Sequence, residues 1–279
     1  MIDTAKLVTR GRRELKHLRL RIAPRPPADH PTLHIVGCQR SGTTMFTEIL
    51  DRDPRVRVFG ELESLFDDVP RHHRLRDPID VRRQLGCSGA ALNVVKPLVE
   101  SHRVSELLHL GGDSVAIWMF RHYRDVASSN LKRFGIRNGI DNLRPIVEDD
   151  PDDWRNAGLS ADTREIVRRH FDEHMPPHDA SALFWYCRNT LFSAQALELD
   201  PKVRTCRYEQ LVADPAAMVQ ATYAWVGLAA VTERISDLVH ARSVGKGRDE
   251  IRPNVRTLCE TMWDHLLNVD RERSLVAIS

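Results

Sequence analysis

The sequence lacks most of the features that sort a chain into a specialised class. No apolar run approaches the ~20 residues of a membrane span, and no signal-type apolar stretch opens the chain. The cysteines Cys38, Cys87, Cys187, Cys206 and Cys259 are odd in number and form no Cys-x-x-Cys pair. That excludes a disulfide framework and a zinc site, and it fits a reducing, cytoplasmic setting. An Asn-x-Ser/Thr sequon, an internal repeat, a low-complexity tract, a Gly-x-Ser-x-Gly elbow and a catalytic-cysteine context are all absent. An excess of one charge is missing too: 41 Lys+Arg against 39 Asp+Glu leave a net +2. This balance excludes a strongly basic nucleic-acid binder and still allows local anion sites. With 42% hydrophobic and 29% charged residues, the 279-residue chain has an ordinary globular composition and enough material for a sizeable core. Its Arg- and Ala-rich usage points to a bacterial source.

What is present begins with a basic, weakly amphipathic segment. Lys6, Arg10, Arg12, Arg13, Lys16, Arg19 and Arg21 alternate with Leu7, Val8, Leu15, Leu18, Leu20 and Ile22 before Pro24, Pro26 and Pro27. It reads as a surface helix or as a peripheral contact with an anionic membrane. Residues 1–30 are therefore set apart from a single domain over 31–279. Short apolar runs predict strands at 33–36, 56–59, 93–95, 115–120 and 203–207. Helix patterns run up to Leu50 and over 101–110, 124–134 and 182–199. Residues 67–86 read as exposed and irregular, and 135–180 as a mostly helical insertion with one helix over 161–173. Strands alternating with helices predict an α/β fold with a central parallel sheet flanked by helices in three layers.

Two stretches carry chemistry. Gly37-Cys38-Gln39-Arg40-Ser41-Gly42-Thr43-Thr44 links the first strand to a helix. Glycines let such a loop curl so that helix N-terminal amides converge on an anion, and Arg40, Ser41, Thr43 and Thr44 add a charge and hydroxyls. The glycine spacing is that of a nucleoside-triphosphate loop, but Thr43 stands where that loop carries its Lys. This weakens a kinase or ATPase reading. The second stretch, Arg121-His122-Tyr123-Arg124-Asp125-Val126-Ala127-Ser128-Ser129, follows the strongest strand. It offers a guanidinium fork and a hydroxyl (Ser129, with Ser128 as substitute) to a phosphate monoester. His170 and His174 lie one helical turn apart with no clear third ligand, so a solvated helix face outweighs a metal pair and no metal is expected.

Gln39–Thr44 resembles the 5'-phosphosulfate loop of sulfotransferases that use 3'-phosphoadenosine 5'-phosphosulfate (PAPS). Arg40 stands where the membrane-type and bacterial members carry Arg. Arg121 and Ser129 resemble the family's 3'-phosphate motif, and Arg207-Tyr208-Glu209-Gln210-Leu211 its Arg-Tyr-Glu-x-Leu, which places Tyr208 near the adenine. These matches span about 33–212. The resemblance implies a P-loop-like fold, PAPS as co-substrate without a metal, and a hydroxyl or amine acceptor of small-molecule, carbohydrate, lipid or peptide type. Gly60-Glu61 and Lys96-Pro97 are similar to the tyrosylprotein branch, which implies Glu61 as base and Lys96 beside Arg40 as second cation. Glu63 and His102 are the other bases in view. Lys246 and Arg252 sit where the family brings a late loop over the nucleotide, and Trp185 lies on a helix that also resembles it, although a core role suits that spacing equally. The alternatives are a P-loop nucleotide kinase or ATPase, and a non-catalytic nucleotide-binding protein on the same fold.

Overall fold

The apolar runs become strands because parallel sheets are covered on both faces and need apolar side chains in both directions. The computed structural model describes residues 14–20, 22, 31–67, 73–229, 244–248 and 250–276. Its strands are β1 (Thr32–Gly37), β2 (Val56–Phe59), β3 (Leu92–Val95), β4 (Ser114–Phe120) and β5 (Val203–Arg207). They pair in parallel in the order β2-β3-β1-β4-β5. Alternate residues feed opposite cores. Ile35 and Ile117 join Phe46, Met218 and Tyr223 on one face; Val36 and Trp118 join Phe184, Trp185 and Leu191 on the other.

The helices are α1 (Thr43–Leu50), α2 (Pro78–Gly86), α3 (Val104–Leu107), α4 (Tyr123–Phe134), α5 (Asn138–Val147), α6 (Ala161–His170), α7 (Pro177–Ala194), α8 (Tyr208–Ala213), α9 (Pro215–Trp225) and α10 (Pro253–Arg273). Residues 14–20 are helical as well, and Lys16 pairs there with Asp51 at 2.7 Å. The basic positions 1–13, Arg21 and the prolines at 24, 26 and 27 lie outside the described residues. No helix among the described residues is long and apolar enough to cross a membrane.

Four local expectations need correction, and proline is the reason for three. Residues 67–86 are not wholly irregular: Asp77 caps α2, accepting from the Ile79 amide at 2.8 Å, Pro78 occupies the first turn, and Val81 and Leu85 are buried one turn apart. A proline at a helix start costs no hydrogen bond. The same device starts α7 at Pro177, five residues before the apolar pattern, and α7 stops at Ala194 rather than 199. Within 135–180 there are two helices, not one. α5 tolerates Pro145 while burying Ile140, Leu143 and Ile146. Fourth, 101–110 is not one helix but a 3-10 turn over Leu98–Arg103 followed by the single turn of α3.

Candidate active site

β1 and β4 run side by side with Gly37 opposite Met119. Both anion motifs therefore open at the same carboxyl edge of the sheet, where α/β proteins hold ligands. The turn after β1 depends on two glycines. Gly37 has φ 119, and a Cβ there would meet the Met119 carbonyl oxygen at 2.2 Å. Gly42 has φ 90, and its Cβ would stand 2.4 Å from the Tyr208 ring. Arg40 adopts left-handed backbone as well, at φ 66. For a residue with a Cβ this costs on the order of 1–2 kcal/mol and persists only where the surroundings impose it. Its Nε donates to Ser129 Oγ at 3.0 Å, tying the first loop to α4 across 89 positions of sequence. No side chain caps the start of α1, and the Ser41 hydroxyl is buried without a hydrogen-bond partner. Open amides at a helix start and an unanswered hydroxyl fit a bound oxyanion.

Arg121, 5% exposed, lies 3.3 Å from Asp125, and its guanidinium stacks over the Tyr208 ring at 4.2 Å. The Trp185 indole N–H donates to the Arg121 carbonyl at 3.0 Å, so that tryptophan braces the strand end from the core. Gly42, Thr43, Thr44, Arg121, Ser129 and Tyr208 line one cleft of about 330 Å³. A neighbouring cleft of about 620 Å³ adds Ser128, Lys132, Arg133 and Lys246, with Asp125 as the carboxylate in its lining. Burial first, then the like charges of Arg133 and Arg121, pull the Arg40 pKa below its usual value. The site is electropositive and ready for an anion.

Lys246 reaches this cleft because its loop is strapped down. The Asp125 carboxylate accepts from the Gly245 amide at 2.9 Å and the Gly247 amide at 2.6 Å, and Ser128 Oγ accepts from the Arg248 amide at 3.2 Å. Gly247 is required there, since a Cβ would come within 2.4 Å of the Arg124 backbone. In sequence Asp125 looks like an acid complementing a helix dipole, and nothing local reveals its second task. Arg124 faces away, over the Tyr123 ring and 3.7 Å from Glu260.

A third cleft, of about 390 Å³, holds Glu61 and Lys96 and shares Arg40, Thr43 and Thr44 with the loop after β1. Lys96 Nζ lies 3.0 Å from Glu61 Oε2 and donates to Thr44 Oγ1 at 3.1 Å, so the cation touches both the carboxylate and the loop. The reserve bases are elsewhere. Glu63 is paired with Arg57 at 2.6 Å. His102 packs under Gly158, its Nδ1 is 3.1 Å from the Val99 carbonyl, and burial followed by the Arg188 charge lowers its pKa to about 4. Neither lines the cleft. Arg252 lies at the start of α10, where it pairs with Asp179 and lines none of the three clefts. His170 Nδ1 lies 2.8 Å from the Ile166 carbonyl, and among the described residues no three His, Cys, Asp or Glu side chains gather as a metal site. Trp154, Arg155 and Arg188 also line the third cleft. Sequence reading passed over them; the one signal was a lone Arg within the apolar run of α7.

Fold and site define the class: a three-layer, P-loop-like α/β protein whose sheet edge carries a cationic cleft. Within it, residues 31–93 match the sulfotransferase family model, a segment running from β1 through the loop and α1 to β3 that includes Arg40 and Glu61. The sulfotransferase resemblance of the loop is thus matched by the family model over that segment. No curated relative matches the chain. Among solved structures, the sulfotransferase domain of the Synechococcus PCC 7002 olefin synthase is 14% identical with TM-score 0.47, covering 86% of this chain and 98% of that one. A sulfotransferase from Alicyclobacillus acidocaldarius is 16% identical, also at 0.47, covering 87% and 95%.

Proposed function

We propose that the protein transfers a sulfuryl group from PAPS to a hydroxyl or amine of an acceptor. The observation that carries this reading is the Arg40–Ser129 hydrogen bond, which joins two anion-binding loops in one cationic cleft beside the Glu61–Lys96 pair. PAPS bears phosphosulfate at its 5' end and phosphate at its 3' position, and it supplies an already activated sulfuryl group. The loop amides with Ser41, Thr43 and Thr44 hold the 5' end. Arg121 and Ser129 hold the 3'-phosphate, Tyr208 lies against the adenine, and Lys246 closes over from its strapped loop.

Sulfuryl transfer, like phosphoryl transfer, asks mainly for positioning and for charge stabilisation of oxygens in line. Arg40 and Lys96, which line the third cleft together with Thr44, supply that charge. Glu61 takes the proton from the acceptor, and its contact with Lys96 fixes the carboxylate at the mouth of the third cleft, where the acceptor enters. This division, donor in the two clefts around Arg121 and acceptor in the third, follows from which residues each cleft shares with the loop.

A cytoplasmic location draws support from the five cysteines, all unpaired. Peripheral membrane contact draws support from Leu15, Leu18 and Ile22, exposed at helical spacing on the N-terminal segment.

Calorimetric titration with adenosine 3',5'-bisphosphate, set beside ATP with magnesium, tests the reading. Tight bisphosphate binding without magnesium and weak ATP binding are expected. The reverse pattern would replace the sulfotransferase with a kinase or ATPase. Bisphosphate binding with no sulfate transfer from labelled PAPS to any of a hydroxyl and amine acceptor panel would leave a non-catalytic binder.

A further inference from the structure

The third cleft contains more positive charge than the transfer reaction uses. Four permanent cations line it: Arg40, Lys96, Arg155 and Arg188. Lys96 is matched by Glu61 at 3.0 Å and Arg155 by Asp153 at 2.9 Å. Arg40 belongs to the donor loop. Arg188 remains, and it is the most buried of the four at 2% exposure. Its contacts are two carbonyl oxygens, Leu98 at 3.1 Å and Trp154 at 3.5 Å, and the Trp154 ring at 5.1 Å; no carboxylate pairs with it among the described residues.

A buried guanidinium answered only by carbonyls and a ring is costly. The field it leaves is visible in its neighbours. Arg188 helps hold the His102 imidazole down to about 4, second only to burial, and burial brings its own pKa to about 10. Packing alone does not call for a charge here, since the surrounding side chains of α7 (Phe184, Cys187, Leu191) are apolar. The Trp154 ring carries the Arg155 guanidinium at 4.7 Å as well as that of Arg188 at 5.1 Å, and gives the cleft an apolar wall next to the charge.

We infer that the acceptor carries an oxyanion (a carboxylate or a sulfate or phosphate ester) beside the group to be sulfated, and that Arg188 receives it while Trp154 covers the carbon frame. This rests on the reading of the third cleft as the acceptor site. Arg188 sets specificity, because a neutral acceptor of the same shape leaves its charge unanswered, whereas an oxyanion makes charge-assisted hydrogen bonds with it.

The test uses the full chain saturated with adenosine 3',5'-bisphosphate, so that Arg40, Arg121 and the donor clefts are occupied. 4-Hydroxybenzoate and its neutral methyl ester are the probes, followed by calorimetry and tryptophan fluorescence. The carboxylate is expected to bind at least ~10-fold more tightly than the ester, the scale of one charge-assisted hydrogen bond. In Arg188→Met, of similar volume, the preference is expected to fall to within about twofold while bisphosphate affinity stays unchanged. Equal affinities in the wild type, binding of neither probe, or a preference that survives Arg188→Met each overturn the proposal. If Arg188→Met does not fold, the carboxylate–ester comparison in the wild type decides alone. Failure of the bisphosphate to bind the wild type would instead strike at the donor reading, so the two failures are distinguishable.

Discussion

Replacing Arg40 by alanine separates a binding role from a structural one. In the folded protein this guanidinium is partly desolvated, crowded by Arg133 and Arg121, and carried on left-handed backbone. Its hydrogen bond to Ser129 Oγ contributes about 1.5–3 kcal/mol as a bond to a charged group. Burial and like-charge repulsion oppose that gain, so removing the side chain is expected to shift the stability of the free protein by less than ~1 kcal/mol. Ligand binding reverses the balance, because an anion in the cleft turns repulsion among the cations into attraction. Affinity for adenosine 3',5'-bisphosphate is expected to fall by about 1.5–3 kcal/mol, roughly 10- to 150-fold. Calorimetry reads the affinity and urea melts read the stability. Unchanged affinity together with a stability loss above ~2 kcal/mol would refute the reasoning and make Arg40 a structural clasp. Ser129→Ala and the double variant complete a cycle whose coupling, about 0.5–3 kcal/mol for groups in contact, isolates the loop-to-loop bond.

Three further outcomes follow. Glu61→Gln is expected to keep bisphosphate affinity and lower sulfate transfer by about 10²- to 10⁴-fold, the range of general-base catalysis, and a retained rate in a labelled-sulfate assay would move the base elsewhere. Gly42→Ala is expected to cost at least ~2 kcal/mol, since φ 90 and a Cβ 2.4 Å from the Tyr208 ring act together; a urea midpoint equal to wild type would contradict the loop geometry. The His34 imidazole is fully buried, and burial lowers its pKa from 6.5 to about 4. Between these values the unfolded chain binds a proton that the folded one refuses. Stability is therefore complete above pH 6.5 and is lost as pH falls toward 4, by roughly 3.5 kcal/mol for this one group at about 1.4 kcal/mol per unit. Urea melts across that window check it, and His34→Asn should flatten the dependence; a wild-type profile already flat would count against it.

The strands were legible because each is a short apolar run whose order along the chain needs no partner to be seen. Runs read at 56–59 and 203–207 coincide with β2 and β5, and the others fall within one residue of each boundary. The turn after β1 was legible for the same reason: its glycines, Arg40 and hydroxyls are contiguous, so local stereochemistry dictates it. Helix starts were less legible, because α2 and α7 begin at Pro78 and Pro177, ahead of any apolar periodicity, and a first-turn proline is recognised only once the helix behind it is seen.

By itself, then, the sequence determined the strand–loop–helix units and the residue types at their ends, since these depend on interactions within a few positions. Only the tertiary structure decided which ends meet. The β1–β4 neighbourhood puts Arg40 on Ser129, the β2–β3 neighbourhood puts Glu61 on Lys96, and the packing of α7 beneath residues 98 and 154 leaves the Arg188 charge buried at the cleft. Electrostatic and hydrogen-bond partners are set by distance in space, which a one-dimensional pattern does not carry.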